Sequence, residues 1–141
     1  MTWNTIVVGY DETGPAKRAL ERATELARLS RAKLVVTSVA PALVGMAASR
    51  GLGPFDPADS PEEHQEELAE ARRFLLDKGV TAEFELAVGQ PGHTIVDVAA
   101  RHAADLIVVG TREPGFFEWL LGGSVSQSVS RHARCDGLVV H

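Results

Sequence analysis

The chain has 141 residues, of which 45% are hydrophobic and 23% charged, so it is long enough to bury the core of one compact domain. Its net charge of −5 at pH 7 excludes a general electrostatic attraction for nucleic acid or for an anionic membrane surface. No apolar run approaches the roughly 20 residues that cross a bilayer, and no secretory signal is visible at the N-terminus, so we expect a single domain over residues 1–141 in the cytoplasm.

The chain begins with a predicted strand and helix. The stretch "NTIVVGYD" has a β-branched core, Ile6 to Val8, and ends in glycine and aspartate, which is typical of a buried strand that runs into a turn. In "GPAKRALERATELARLS", apolar residues recur at helical spacing with charges opposite them. Pro15 suits the first helical position, with either Thr13 or Gly14 as the cap.

A second strand, "KLVVTSVA", leads into a long loop and a second helix. The segment Pro41–Asp59 is rich in glycine, proline and alanine, which predicts a loop of low order. In "SPEE", Ser60 can cap a helix whose first residue is Pro61, and Glu63 completes a capping box. We expect this helix to end at Gly79.

The second half of the chain continues the alternation of strand and helix. The stretch "VTAEFELAV" predicts a third strand, "QPGHTIVDVAARHAA" a third helix and "DLIVVG" a fourth strand that is apolar on both faces. Ser124 and Gln127 form a capping box that opens a short helix, and "GLVVH" predicts a fifth strand. This alternation predicts an α/β fold, a single-domain doubly wound parallel sheet of five strands with helices on both faces, and right-handed crossovers restrict the order of its strands. Such sheets bind ligands beyond the carboxyl ends of the strands, where the strand order reverses beside the first strand.

Two strand ends carry residues suited to binding. The first, "VVGYDET", places Asp11 at the predicted crevice. In the second, "VVGTREPGFFEWLLGGSVSQSV", Gly123 allows a ligand to approach the main chain closely, while the Ser124 hydroxyl and the Val125 amide lie at a helix start that stabilises an anion. Arg112 could add a forked charge. The alternatives are that Ser124 and Asp11 only cap their helices.

These stretches resemble the universal stress protein family, and the likeness covers the whole chain. The family's opening, a strand followed by Gly-x-Asp-x-Ser/Thr, is similar to "VVGYDET", and its close is similar to "SVSQSVSRHARCDGLVVH". The family's nucleotide motif is Gly, two residues, Gly, nine residues, Gly, then Ser or Thr. Gly110, Gly123 and Ser124 match this motif at the correct spacing.

The resemblance implies a five-stranded parallel sheet in the order 3-2-1-4-5, homodimers that pair their last strands, and a regulatory protein without established catalytic chemistry. It also implies a crevice that binds ATP, AMP or cyclic AMP (cAMP) in some members and no nucleotide in others, with Mg²⁺ only where a polyphosphate binds. Carried over to this chain, Asp11 and Val39 line the adenosine end. The residues carried over to the ribose and phosphates are Gly110, Arg112, Gly123, Ser124 and Val125.

The second glycine of the motif is replaced by Glu113. A non-glycine residue in a left-handed conformation costs about 1–2 kcal/mol, and Pro114 favours extended geometry in the residue before it. A carboxylate about 4 Å from a phosphate charge is repelled by up to ~4 kcal/mol at an effective dielectric constant of about 20. We therefore predict a type II turn over Glu113–Phe116 and a crevice that suits AMP or a cyclic nucleotide better than a triphosphate, unless the Glu113 side chain turns outward.

Several other residues have a simpler interpretation. We expect His64, which lies among glutamates, to be solvated, and His93 and His102 to be packing or surface residues. Cys135 is expected to be a buried, inert thiol rather than an activated one. The apolar patch Phe116–Leu121 either packs over the end of the sheet or forms a partner or dimer surface.

The sequence therefore predicts a homodimeric regulatory stress-response protein with a nucleotide crevice, which acts on an unidentified protein partner and is not an enzyme. The alternative is a homodimeric interaction module that binds no nucleotide, which Glu113 and the apolar patch favour. A nucleotide hydrolase is a weaker third alternative, because neither a placed general base nor a metal-ligand cluster is visible.

Overall fold

The computed structural model describes residues 3–11, 13–40, 61–89, 91–111 and 135–141. The predictions for the loop Pro41–Asp59, the turn at Glu113, the patch Phe116–Leu121 and the helix at Ser124 lie outside these residues. The described strands and helices, in chain order, are β1 (Thr5–Gly9), α1 (Gly14–Ser30), β2 (Lys33–Ala40), α2 (Pro61–Leu75), β3 (Ala82–Val88), α3 (Pro91–Arg101), β4 (Leu106–Gly110) and β5 (Asp136–Val140).

The described strands form one parallel sheet in the order β3-β2-β1-β4-β5. This confirms the predicted doubly wound fold and its strand order. After β1, the chain adds β2 and then β3 on one side of β1. It then crosses to the other side of β1 and adds β4 and β5, so β1 is the central strand. Val7 of β1 is aligned with Val35 of β2 and with Ile107 of β4. All three are fully buried, as the apolar composition of these strands predicts.

Successive residues of the strands face two separate core layers. The layer shared with α1 and α2 receives Ile6, Val8, Leu34, Val36, Leu106 and Val108 from the strands. The layer shared with α3 receives Val7, Val35, Val39, Ile107 and Val109. Helices therefore cover both faces of the sheet.

The start of α1 and the end of α2 each lie at or close to a residue that favours a helix terminus. Thr13 is the cap of α1, because its Oγ1 accepts a hydrogen bond from the Ala16 amide at 3.3 Å. α2 ends at Leu75, slightly before the predicted end, and Gly79, with a φ of 73°, then turns the chain towards β3. Glycine suits this position because the left-handed region carries no penalty for it.

Candidate functional site

The carboxyl ends of β1, β2 and β4 meet where the strand order reverses. Open parallel sheets bind ligands at such a place. Of the predicted site residues, Asp11, Val39 and Gly110 lie here, at the ends of adjacent strands. The others lie outside the described residues: Arg112, Gly123, Ser124 and Val125.

Asp11 follows β1 in the turn that leads into α1. Its Oδ1 accepts hydrogen bonds from the Thr13 amide at 2.8 Å and from the Thr13 hydroxyl at 2.5 Å. The side chain therefore holds Thr13, which is the cap of α1, and does not cap the helix itself; Thr13 in turn fixes the orientation of the carboxylate. Both hydrogen bonds found within the described part of the chain fall on Oδ1, which leaves Oδ2 to accept from a ligand hydroxyl.

The main chain of Val39 is directed at the same crevice. The ladder between β1 and β2 ends at Thr37, whose carbonyl accepts from the Tyr10 amide at 2.9 Å. On the other side of β2, the Ala40 carbonyl accepts from the Gly89 amide. Since the main-chain groups of successive strand residues point to alternate sides, the N–H and C=O of Val39 point towards β1, beyond the end of the ladder.

Gly110 ends β4 against the first turn of α1. It is buried, and a Cβ added to it would lie 2.6 Å from the carbonyl carbon of Pro15 and 2.7 Å from the nitrogen of Ala16. Because these are main-chain atoms, they cannot give way as a flexible side chain would. The glycine therefore has a packing function as well as its place in the motif, and it brings the N-terminus of α1 to the crevice.

A buried polar cluster lies beside Val39, on the face of the sheet that α2 covers. Its members, Ser38, His64 and Glu67, are 1%, 7% and 6% exposed. Ser38 Oγ lies 2.6 Å from His64 Nδ1 and 2.8 Å from Glu67 Oε2, and these last two atoms are 3.1 Å apart. The prediction that His64 is solvated is therefore wrong. The signal that could have placed it is the helical spacing between it and three buried residues, Leu68, Ala71 and Leu75.

The hydrogen bonds of this cluster define its proton positions when Glu67 is ionised. Ser38 donates its hydroxyl hydrogen to Glu67 Oε2, so the short contact from Ser38 Oγ to His64 Nδ1 requires a hydrogen on Nδ1. His64 Nε2 is then an acceptor in the neutral ring, and it is buried without a hydrogen-bond partner among the described residues. Burial raises the pKa of Glu67, against the lowering effects of Ser38 and His64.

A second contact joins α2 to the residue before Asp11. Tyr10 donates its hydroxyl hydrogen to Glu70 Oε1 at 2.5 Å, and Lys17 Nζ lies 3.6 Å from the same oxygen. The Tyr10 hydrogen bond is the chief cause that lowers the pKa of Glu70, whereas burial is the chief cause that raises the pKa of Tyr10. α2 therefore holds the neighbours of both Asp11 and Val39.

The polar cluster does not have the geometry of a hydrolytic triad. In such a triad, one ring nitrogen receives the serine proton while the carboxylate holds the other. Here Ser38 and Glu67 both contact His64 Nδ1, and the serine is enclosed. Within the described ranges, no group of three or more His, Cys, Asp or Glu residues could hold a metal ion. None of the helices that the structure describes combines the length and the apolar composition of a transmembrane segment.

Of the remaining candidate side chains, Cys135 is partly buried, whereas the sequence predicts a buried thiol. Burial, together with the charges of Asp105 and Asp136, raises the pKa of the Cys135 thiol to about 12, so the thiolate is not formed near neutral pH. His93 is exposed. His102 is partly buried after α3, with Nε2 3.4 Å from Glu85 Oε1.

Comparisons with known proteins agree with this fold, and the matches extend over nearly the whole sequence. The model of the universal stress protein family matches residues 2–141. A universal stress protein of Synechocystis sp. is 32% identical over 159 residues, with 99% of each chain covered. A solved universal stress protein in complex with cAMP is 28% identical, with a TM-score of 0.67 and coverage of 100% of this chain and 99% of its own. The universal stress protein from Archaeoglobus fulgidus in complex with dAMP has the same identity and TM-score, and all of both chains is covered.

Proposed function

Since the chain belongs to the universal stress protein family, we propose that it is a cytoplasmic regulatory protein whose crevice binds an adenine nucleotide. One observation carries the proposal. At the adjacent ends of β1 and β2, the carboxylate of Asp11 is held in a fixed orientation, and the N–H and C=O of Val39 point into the crevice beyond the end of the β1–β2 ladder. The complexes of two structural relatives with cAMP and dAMP support the same class of ligand.

The described residues of the crevice have distinct tasks in this proposal. The N–H and C=O of Val39 form a donor and acceptor pair that suits the edge of an adenine base. Oδ2 of Asp11 accepts a hydrogen bond from a ribose hydroxyl, while Thr13 holds Oδ1. The residues that we assign to the ribose and phosphates are Gly110, Arg112, Gly123, Ser124 and Val125.

The number of phosphate charges decides which nucleotide binds best. Glu113 adds a negative charge to the motif that surrounds the phosphates, and each further phosphate charge increases the repulsion. AMP and cAMP therefore rank above ATP, and Mg²⁺ takes part only with a polyphosphate. The bound nucleotide acts as a regulatory ligand that changes the surface met by a protein partner.

Calorimetry on the purified protein tests this proposal. We expect cAMP and AMP to bind with dissociation constants below the millimolar range and ATP to bind more weakly. Asp11→Asn keeps an oxygen for the Thr13 hydrogen bonds but replaces Oδ2 by a donor, so it should weaken binding about tenfold or more. No heat with any of the three nucleotides at millimolar concentration would contradict the proposal. With ATP and Mg²⁺, we expect no release of phosphate.

We also propose that two chains pair through β5, which is one edge of the sheet. The Asp136 amide donates to the Asp105 carbonyl, and the Val140 carbonyl accepts from the Thr111 amide. The main-chain groups of the alternate residues, Gly137 and Val139, therefore point away from β4. An outward row of donors and acceptors is what a second strand needs for pairing.

The opposite edge of the sheet, β3, is protected by charge. Lys33 pairs with Glu83 at 2.9 Å, and Arg101 pairs with Glu85 at 2.8 Å. Charged side chains at an edge discourage pairing with another chain, whereas β5 continues after its first residue as Gly-Leu-Val-Val. This contrast supports β5 as the dimer edge. The exposed pairing edge of β5 also favours the second candidate function, an interaction module that binds no nucleotide.

A further inference from the structure

The Ser38–His64–Glu67 cluster lies next to the crevice in which the proposed nucleotide carries its negative charge. Ser38 directly precedes Val39 in β2, and α2 begins at this end of the sheet, which places His64 of its first turn there as well. The negative charge of Asp11 contributes to raising the pKa of Glu67. A change of charge in the cluster therefore changes the electrostatic potential at the crevice.

One added proton reverses the polarity of His64 Nε2, wherever in the cluster that proton binds. If it binds the ring, the imidazolium has an N–H at both nitrogens. If it binds Glu67, the carboxyl group donates to Ser38, Ser38 donates to Nδ1, and the ring hydrogen moves to Nε2. In both states the cluster loses one unit of negative charge, and Nε2 changes from an acceptor to a donor.

The charged groups that face the cluster leave this side of the crevice negative. Among the described elements packed around it, Asp11 follows β1, Glu67 and Glu70 lie on α2, and Lys17 lies on α1, with the Tyr10 hydroxyl on Glu70. The charge of Arg73 on α2 also lowers the pKa of Glu70. Of these residues, two cations thus face three carboxylates. An anion that enters the crevice makes the charge on Glu67 more costly, which increases the affinity of the cluster for a proton.

We propose that an anionic nucleotide binds the crevice together with a proton that is taken up by the Ser38–His64–Glu67 cluster, so that its affinity increases as the pH falls. This inference rests on the proposed nucleotide site and adds a regulation to it. Because the coupling is reciprocal, the nucleotide increases the proton affinity of the cluster by the same factor. The protein would then respond to acidification through the occupancy of its crevice.

Calorimetric titration with cAMP between about pH 6 and pH 8 tests the linkage. The phosphodiester charge of cAMP is fixed over this range, whereas the phosphate of AMP titrates within it. The affinity for cAMP should rise roughly three- to tenfold from the upper to the lower pH. Heats in buffers of different ionisation enthalpy should show net proton uptake. Uncharged adenosine should show neither effect.

Two variants assign the linkage to the cluster. Glu67→Gln removes the carboxylate that either binds the proton or stabilises a protonated ring, and keeps an oxygen that can accept from Ser38, so the affinity for cAMP should become independent of pH. His102→Gln is the matched control, because His102 also lies near a glutamate, 3.4 Å from Glu85 Oε1, but at the amino end of the sheet. This control should keep the pH dependence of the natural protein.

The outcomes separate the inference from the proposed function. If cAMP binds with the same affinity throughout this pH range, the inference is wrong and the nucleotide site stands. If cAMP binds at no pH, the proposed function itself fails. Nitrogen NMR of the natural protein needs no variant: adding cAMP should place a hydrogen on His64 Nε2, and an Nε2 that already carries its hydrogen without cAMP, or that gains none with it, would overturn the inference.

Discussion

Glu67 and Glu70 lie one turn apart on α2, yet folding shifts the pKa values of their carboxyl groups in opposite directions. Burial raises the pKa of Glu67, whereas the hydrogen bond from Tyr10 lowers the pKa of Glu70. A raised carboxyl pKa means that stability is lost as the pH rises through it. A lowered carboxyl pKa means that stability is lost as the pH falls through it.

Glu67→Gln and Glu70→Gln should therefore change opposite limbs of the stability profile. Above the ordinary glutamate pKa of 4.5, the natural protein loses stability as Glu67 ionises, and Glu67→Gln should remove this loss. Below 4.5, it loses the contribution of ionised Glu70, and Glu70→Gln should flatten that limb. The Glu70 effect should be the smaller, because its side chain is 41% exposed and solvent screens it.

Urea unfolding between about pH 3 and pH 8 measures both limbs, since the midpoint follows stability when the slope is unchanged. The two variants serve as controls for each other, because each replaces a glutamate on the same helix by its amide. Identical pH profiles for the two would contradict the opposite roles assigned to these carboxyl groups.

Gly110→Ala should destabilise the fold by about 1–3 kcal/mol, because it forces the end of β4 away from α1. The added Cβ would lie 2.6 Å from the carbonyl carbon of Pro15, which the helix holds in place. Gly14→Ala is the matched control: its Cβ would meet Arg18 Nη1 at 3.3 Å, the mobile end of a long side chain. We expect this control to stay within about 0.5 kcal/mol of the natural protein in urea unfolding. Equal losses would refute the packing role of Gly110.

The sheet could be predicted from the sequence because its signals are local. Each central strand is a short apolar run, and every described helix begins or ends at a residue with a known preference, such as Thr13 at the start of α1. Right-handed crossovers then restrict the strand order, and the family resemblance of the motifs at the strand ends selects 3-2-1-4-5. The described pairing confirms it.

The polar cluster could not be predicted in the same way, because its partners come together only in the folded chain. Ser38 and His64 are 26 positions apart, and no local pattern says which residue of β2 lies beneath the first turn of α2. The glutamates beside His64 suggested a solvated face. Gly110 is a similar case. The motif indicated that Gly110 contacts a ligand, whereas the structure shows that a Cβ at this position would collide with the main chain of Pro15.

Val139→Pro should give a monomer that keeps its fold. Proline removes the N–H that Val139 directs away from β4 and leaves the ladder hydrogen bonds of Leu138 and Val140 in place. Val139→Ala, which keeps the N–H and shortens the side chain, should remain a dimer like the natural protein. Light scattering after size exclusion measures the mass of each. A dimeric proline variant, or a monomeric natural protein, would rule out pairing through β5.

Glu113 occupies the position of the second glycine in the nucleotide motif, outside the described residues. Glu113→Gln removes only the charge, and Glu113→Gly also restores a residue that tolerates the left-handed conformation. If the Glu113 carboxylate repels the phosphates of ATP, both variants should bind ATP with Mg²⁺ at least about tenfold more tightly in calorimetry. Even a screened part of the ~4 kcal/mol repulsion is enough for a tenfold change in affinity. The glycine variant should gain further, from the release of about 1–2 kcal/mol of backbone cost.

Affinity for cAMP should change less, because cAMP carries fewer charges. If ATP affinity is unchanged in both variants, the Glu113 carboxylate does not face the phosphates, and the ranking of AMP and cAMP above ATP loses its physical basis.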